Sequence, residues 1–155
     1  MIIERRVLSG EHSAILELAT EILGTIAQRD FDEIAVIKLR WRLAHGLAVH
    51  LAKEDKIIYP RLKQHPDAQI AELAKRYESE MGGLSEQYQK YMTAWTGESI
   101  RNDREAFRAE TRQILSVLAR RVDKEEAELY PMYEASTADK GCADSGIVRP
   151  FARSA

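Results

Sequence analysis

The segment His50-Leu-Ala-Lys-Glu-Asp-Lys-Ile-Ile-Tyr-Pro60 recurs in altered form as Arg121-Val-Asp-Lys-Glu-Glu-Ala-Glu-Leu-Tyr-Pro131. The two segments match at a glutamate, a following acidic residue, an aliphatic residue, a tyrosine and a proline, with a constant offset of 71 residues (position 50 to position 121). This repetition predicts two copies of one helical hairpin. We interpret the Tyr-Pro pair that closes each segment as helix punctuation with a packing tyrosine.

Apolar residues on both sides of these segments recur every three or four positions, which is the spacing of amphipathic helices. The chain has only eight glycines and four prolines, so it lacks the turn density of a β protein. Four such helices predict an all-α, up-down-up-down four-helix bundle over residues 1–135, followed by a polar, flexible tail over residues 136–155. The first helix is predicted to begin after Ser9, which is a suitable N-cap.

The composition describes one soluble globular domain: 155 residues, a formal net charge of −2, 45% hydrophobic and 31% charged residues. The balanced charge argues against a nucleic-acid partner. A single cysteine, Cys142, excludes a disulfide framework. No apolar run approaches the roughly 18 residues of a membrane-spanning helix. We therefore expect a cytoplasmic protein that contacts neither nucleic acid nor membrane.

Several polar residues occupy interior positions of the predicted helices. His12 lies on the apolar stripe of the first helix, and His50 and Glu54 lie on that of the second. Glu125 occupies the matching position on the fourth helix. Interior positions of a bundle converge, so these four side chains can meet at one level, where buried carboxylates require a cation. Imidazole and carboxylate together are a donor set for iron, manganese or zinc.

This pattern resembles the hemerythrin-like, HHE cation-binding domains, which have a histidine on helix 1, H-x-x-x-E on helix 2, histidines on helix 3 and H-x-x-x-E or a similar pair on helix 4. The resemblance covers about residues 8–135. It implies a four-helix bundle that in typical members holds two irons bridged by two carboxylates, with uses in oxygen carriage, gas or redox sensing and iron handling. It also implies that the metal ligands here are His12, His50, Glu54 and Glu125.

The chain departs from this pattern at the ligands of one iron only. The histidine positions of helix 3 fall on Tyr77 and Met81, and the histidine of helix 4 is replaced by Arg121. A guanidinium cannot ligate a metal, but it carries a positive charge and can fork hydrogen bonds to a carboxylate. We expect Arg121 to lie beside Glu125 and Glu54 in place of the second cation, which argues against a di-iron centre.

Two interpretations follow from the residues. In the first, one iron, manganese or zinc ion binds at the remaining ligands, with Arg121 beside them. In the second, no metal binds and an Arg–Glu–His network fills the site. Charge counting leaves both open, because two carboxylates against Arg121 leave one negative charge, which a divalent ion overcompensates and a protonated histidine balances.

The first interpretation predicts a cation-binding protein for gas or redox sensing, with O2 or NO as the gas, or for metal handling. The second predicts a regulatory protein-interaction module with a protein partner or a second copy of the chain. A third class, an oxidase or peroxidase at a carboxylate-rich iron site, is disfavoured because the sequence shows neither a substrate pocket nor a general base beyond the ligands. We therefore favour binding over catalysis.

Overall fold

The computed structural model describes residues 1–138, which form four long helical rods joined by short connections. The first rod is α1 (Arg5–Ala27) and the third is α4 (Ala68–Ala94). The second rod consists of α2 (Glu33–Lys53), a π-helical turn (Glu54–Ile58) and α3 (Tyr59–Lys63). The fourth follows the short helix α5 (Gly97–Asn102) and consists of α6 (Arg104–Lys124), a π-helical turn (Glu125–Leu129) and α7 (Tyr130–Ala138). The predicted all-α bundle is confirmed, and the described range contains no β-strand.

The fourth rod extends beyond the predicted domain boundary at residue 135. Helix α7 continues to Ala138, so the first three residues of the predicted tail are helical. The rest of that tail, residues 139–155, lies outside the described residues. Between residues 1 and 138, no helix is both long enough and apolar enough to cross a membrane.

Aspartates begin three of the rods. Asp32, Asp67 and Asp103 each accept a hydrogen bond from a backbone N–H of the first helical turn, which satisfies donors that the helix itself leaves unpaired. The prediction that α1 begins after Ser9 is wrong, because the helix already starts at Arg5. Leu8 is fully buried, so the apolar face of this helix begins one turn earlier than predicted.

The two repeated segments adopt the same unusual backbone. Each π-helical turn begins at the repeated glutamate, and the N–H of Tyr59 bonds to the carbonyl of Glu54 five residues earlier, as the N–H of Tyr130 does to that of Glu125. The proline after each tyrosine lacks an N–H and crowds the carbonyl four residues before it, which favours a wider turn. The Tyr-Pro pairs therefore widen the rods, which continue to Lys63 and Ala138, rather than ending them.

The rods enclose two apolar clusters with a polar layer between them. Helix α1 packs along α2 and α6, and α4 packs on α3 and α6. The larger cluster includes Ile15, Ile22, Val36, Leu43, Leu47, Met81, Leu84, Tyr91, Phe107 and Leu118. The smaller cluster includes Leu8, Ile58, Tyr59, Leu62, Tyr77, Leu129, Tyr130 and Tyr133. The buried polar layer consists of His12, His50, Glu54, Arg121 and Glu125.

Candidate metal centre

The structure brings the four predicted ligands together in the polar layer. Each of His12, His50, Glu54 and Glu125 offers one ligand atom, and these atoms all lie within 4.8 Å of one another. His12 Nε2 is 3.1 Å from Glu125 Oε2, and His50 Nε2 is 3.4 Å from Glu54 Oε1. All four residues are buried. Their side chains come from three rods and form a group that can hold a metal ion.

Two further carboxylates orient the imidazoles. His12 Nδ1 lies 2.8 Å from Glu126 Oε1, and His50 Nδ1 lies 3.0 Å from Glu11 Oε2. The Ser9 hydroxyl donates to Glu126. Burial disfavours the charge of Glu126, but the hydrogen bonds from His12 and Ser9 outweigh it and lower the pKa of this carboxyl. A carboxylate on one ring nitrogen directs the other nitrogen, Nε2, toward the centre, as in carboxylate–histidine–metal arrangements.

The hydroxyl of Tyr130 lies among the ligand atoms of the cluster. It donates to Glu54 Oε1 at 2.9 Å and lies 3.1 Å from His12 Nε2 and 3.2 Å from His50 Nε2. Burial, together with the negative charges of Glu54 and Glu125, raises the pKa of this phenol well above its usual range. Tyr130 packs in the smaller apolar cluster, as the interpretation of a packing tyrosine expected, but its hydroxyl also belongs to the polar centre.

The centre holds more lone pairs than protons. In the tautomer that directs each Nδ1–H at its carboxylate, both Nε2 atoms present lone pairs, as do the oxygens of Glu54 and Glu125. Among the described residues, Glu54 Oε2 is a buried oxygen without a hydrogen-bond partner. The Tyr130 hydroxyl supplies one proton for this group. Such an excess of acceptors fits a cation at the middle of the cluster.

Arg121 occupies the other half of the polar layer, and all three nitrogens of its guanidinium donate hydrogen bonds. Its Nε donates to Glu125 Oε1 at 2.7 Å, and its two terminal nitrogens donate to Glu80 Oε2, the Tyr77 carbonyl and the Tyr59 hydroxyl at 3.0–3.3 Å. The guanidinium also lies over the Tyr77 ring, 4.6 Å from its centroid. Burial disfavours the charge, but Glu125 overcomes this and raises the pKa of Arg121. This half of the layer therefore contains a fixed positive charge.

The structure separates the two residues of the third rod that take the histidine positions of the family pattern. Tyr77 contacts Arg121 through its ring and its carbonyl, whereas Met81, one turn later, packs in the larger apolar cluster. Arg121 hydrogen-bonds one of the two carboxylates that it was expected to lie beside. Of the two central glutamates, Arg121 bonds Glu125, whereas Glu54 accepts a hydrogen bond from the Tyr130 hydroxyl and lies 3.4 Å from His50 Nε2 in the other half.

The bundle and its interior cluster define a helical cation-binding domain. The family model of the hemerythrin HHE cation-binding domain matches residues 4–133, which is most of the chain. The chain belongs to this family. Comparison with curated proteins and with solved structures finds no match.

Sequence reasoning missed several residues of the site. Glu11 and Glu126 directly neighbour the central residues His12 and Glu125 in the sequence, which was a usable signal for partners of the imidazoles. Tyr59 and Tyr130 were predicted only as packing tyrosines, and helical spacing gave no reason to place their hydroxyls in the polar layer. The repeat was the one signal in the sequence that could have indicated a role for these tyrosines at the site.

Proposed function

We propose that this domain binds one cation of the iron type, with His12, His50, Glu54 and Glu125 as ligands, and serves gas or redox sensing or metal handling. The observation that carries the proposal is the orphaned oxygen of Glu54. This side chain is 0% exposed, and its Oε2 has no hydrogen-bond partner. Burying an uncompensated carboxylate costs several kcal/mol, and a bound cation removes that cost.

The donor set favours particular ions. Two neutral imidazole nitrogens and two carboxylates suit Fe²⁺, Mn²⁺ or Zn²⁺ better than Ca²⁺, which prefers oxygen ligands alone, or Cu⁺, which prefers sulfur. When bound, iron would supply a redox couple and a position for a small gas such as O2 or NO. The carboxylates on the outer ring nitrogens support this proposal, because they hold Nε2 of His12 and His50 toward the cation.

One cation, rather than two, is proposed because Arg121 fills the other half of the layer. A guanidinium cannot ligate a metal. With its four hydrogen-bonding partners, Arg121 already supplies the positive charge that this half of the layer needs, so a second ion has neither a ligand nor an uncompensated negative charge here. We also propose that the protein works in the cytoplasm. A chain with one cysteine forms no internal disulfide bond, so it does not require an oxidising compartment.

Metal content per chain tests the proposal. Protein expressed with added iron and purified without chelator should contain about one metal ion per chain by elemental analysis. His50→Ala should abolish binding, whereas the matched variant His45→Ala, at an exposed position of the same helix, should retain it. At a free metal concentration about 1,000 times Kd, the ion should stabilise the wild type by about 4 kcal/mol. Metal content near zero in the wild type would overturn the proposal.

A metal-free regulatory module is the alternative, and the satisfied guanidinium of Arg121 favours it. If His12 is protonated, its Nε2–H can donate to Glu125, and the imidazolium and Arg121 together balance the two central carboxylates, so the centre needs no ion. The domain would then act through contacts with a protein partner or a second copy. In that case divalent metal and chelator should both leave the melting temperature unchanged.

A further inference from the structure

We propose that the phenol oxygen of Tyr130 is itself a ligand of the cation, bound as phenolate. This inference rests on the proposed metal site. It adds a fifth protein ligand to His12, His50, Glu54 and Glu125, contributed by the turn that follows the π-helical segment of the fourth rod.

The position of the phenol oxygen is that of a neighbouring ligand. It lies 2.9 Å from Glu54 Oε1, 3.1 Å from His12 Nε2 and 3.2 Å from His50 Nε2. Nitrogen and oxygen ligands lie about 2.1 Å from a first-row metal, so adjacent ligands at right angles are separated by about 3.0 Å. The three separations match this value. Tyr130 is fully buried, so its oxygen is held at this position by the packing of the ring.

A charge count also favours the phenolate. The carboxylates of Glu54 and Glu125 carry two negative charges, while a divalent ion and Arg121 together carry three positive charges. The Tyr130 phenolate supplies the missing negative charge. The outer carboxylates do not alter the count, because each is paired with a cation of its own: Glu126 with Arg5, Glu11 with Lys53, and Glu80, which also contacts Arg121, with Lys124.

Binding replaces one bond of the phenol by another. The O–H bond that now points to Glu54 breaks, a metal–oxygen bond forms, and the proton leaves to the solvent. No electron is transferred, so ferric ion can be supplied directly as the probe. A trivalent ion increases the demand for a third negative ligand.

Tyr59 is the internal control for this proposal. It occupies the same position of the sequence repeat and is equally buried, but its hydroxyl accepts a hydrogen bond from Arg121 at 3.3 Å. The two tyrosines therefore share backbone, burial and repeat position and differ in what their hydroxyls meet. A spectroscopic signal that depends on Tyr130 but not on Tyr59 can therefore be attributed to the half of the layer that contains the histidines.

The test loads the full chain with ferric citrate and records iron per chain and the visible spectrum. Wild type and Tyr59→Phe should show a visible phenolate-to-iron charge-transfer band, and resonance Raman excitation in that band should enhance tyrosine ring modes. Tyr130→Phe should lose the band entirely while iron can still bind. If Tyr130→Phe does not fold, the Raman modes of wild type grown with ring-deuterated tyrosine, with Tyr59→Phe and Tyr77→Phe as controls, decide the assignment.

The outcomes distinguish this inference from the metal site on which it rests. About one iron per chain without a charge-transfer band in the wild type would overturn the phenolate ligand and leave the proposed metal site intact. A band that survives Tyr130→Phe, or one that disappears in Tyr59→Phe or Tyr77→Phe, would also overturn it. No iron in the wild type would overturn both proposals. A band lost only in Tyr130→Phe would support both.

Discussion

The two halves of the polar layer derive from one repeated segment and solve the same electrostatic problem differently. The first half holds His50 and Glu54, and the second holds Arg121 and Glu125 at the equivalent positions. In the second half, a guanidinium meets the buried carboxylate with a hydrogen bond of 2.7 Å. In the first half, imidazole and carboxylate lone pairs face each other, and one carboxylate oxygen has no partner.

This difference shows that a buried carboxylate can obtain its cation from the chain or from outside it. Arg121 is a permanent counterion, so its half of the layer is complete in the folded protein itself. The half with His12 and His50 remains short of positive charge and is suited to an exchangeable ion.

Removing the permanent cation should have the largest effect. Arg121→Ala leaves Glu125 buried without its partner, so we expect the chelator-treated protein to lose about 3 to 5 kcal/mol of unfolding free energy in urea denaturation. Arg76→Ala removes an exposed guanidinium that lies 4.0 Å from Glu80, and it should change stability by less than about 0.5 kcal/mol. Equal effects of the two substitutions would show that Arg121 is not a structural cation.

Neutralising the two central glutamates should have opposite consequences in the metal-free protein. Glu125→Gln weakens a charge-assisted bond to Arg121 and should cost about 2 kcal/mol. Glu54→Gln introduces N–H donors into a group that lacks protons, so stability should stay the same or rise by up to about 1 kcal/mol. Both variants should bind metal less tightly than the wild type.

Urea unfolding with and without chelator measures both parts of this prediction. A loss of about 2 kcal/mol in metal-free Glu54→Gln would mean that the carboxylate is already compensated without a metal. That result would favour the metal-free interpretation of the half that contains His50.

The outer carboxylates should affect the affinity of the site for the metal without being ligands themselves. Glu126→Gln and Glu11→Gln each replace the anion that faces a histidine Nδ1 by a neutral amide, so the dissociation constant for the metal should rise about 10- to 100-fold. Competition with a metal-binding dye measures this constant. Glu17→Gln, an exposed position on α1, is the control and should leave it unchanged. Unchanged affinity in all three variants would mean that the outer carboxylates do not act on the ligands.

The smallest effect is expected at Tyr59. Tyr59→Phe removes one acceptor from Arg121 and should cost about 1 kcal/mol of stability while leaving metal content at the wild-type level. Thermal unfolding and elemental analysis together check this expectation. A loss of metal in this variant would show that the half containing Arg121 is part of the cation site, and the contrast between the two halves would be wrong.

Much of the architecture could be predicted because it depends on periodicity. Apolar spacing gave four helices, and the repeat placed Glu54 and Glu125 at equivalent interior positions. Residues His12 and His50 followed from the same stripes, and the structure brings all four side chains together. The ends of the rods were less predictable. Serine is a residue type that favours the N-cap position, yet Ser9 lies inside α1, where its hydroxyl bonds to Glu126.

The tyrosines could not be placed from helical spacing. At about 100° per residue, the nine residues from His50 to Tyr59 put the two side chains on opposite faces of a regular α-helix. A π-helical turn accommodates one extra residue, so Tyr59 comes within about 80° of His50. The same shift in the fourth rod turns Tyr130 inward relative to Arg121. The interior position of both hydroxyls thus depends on a local departure from α-geometry.

The amino-acid order alone determined the helical class, the repeat and the identity of the ionisable groups on the inner faces, because burial periodicity is a property of each helix by itself. The pairing of those groups was decided only by the tertiary structure. Which carboxylate Arg121 bonds, and which oxygen of Glu54 is left without a partner, depend on the axial offsets and rotations of separate rods. These are set by packing across the bundle, to which residues distant in the sequence contribute together.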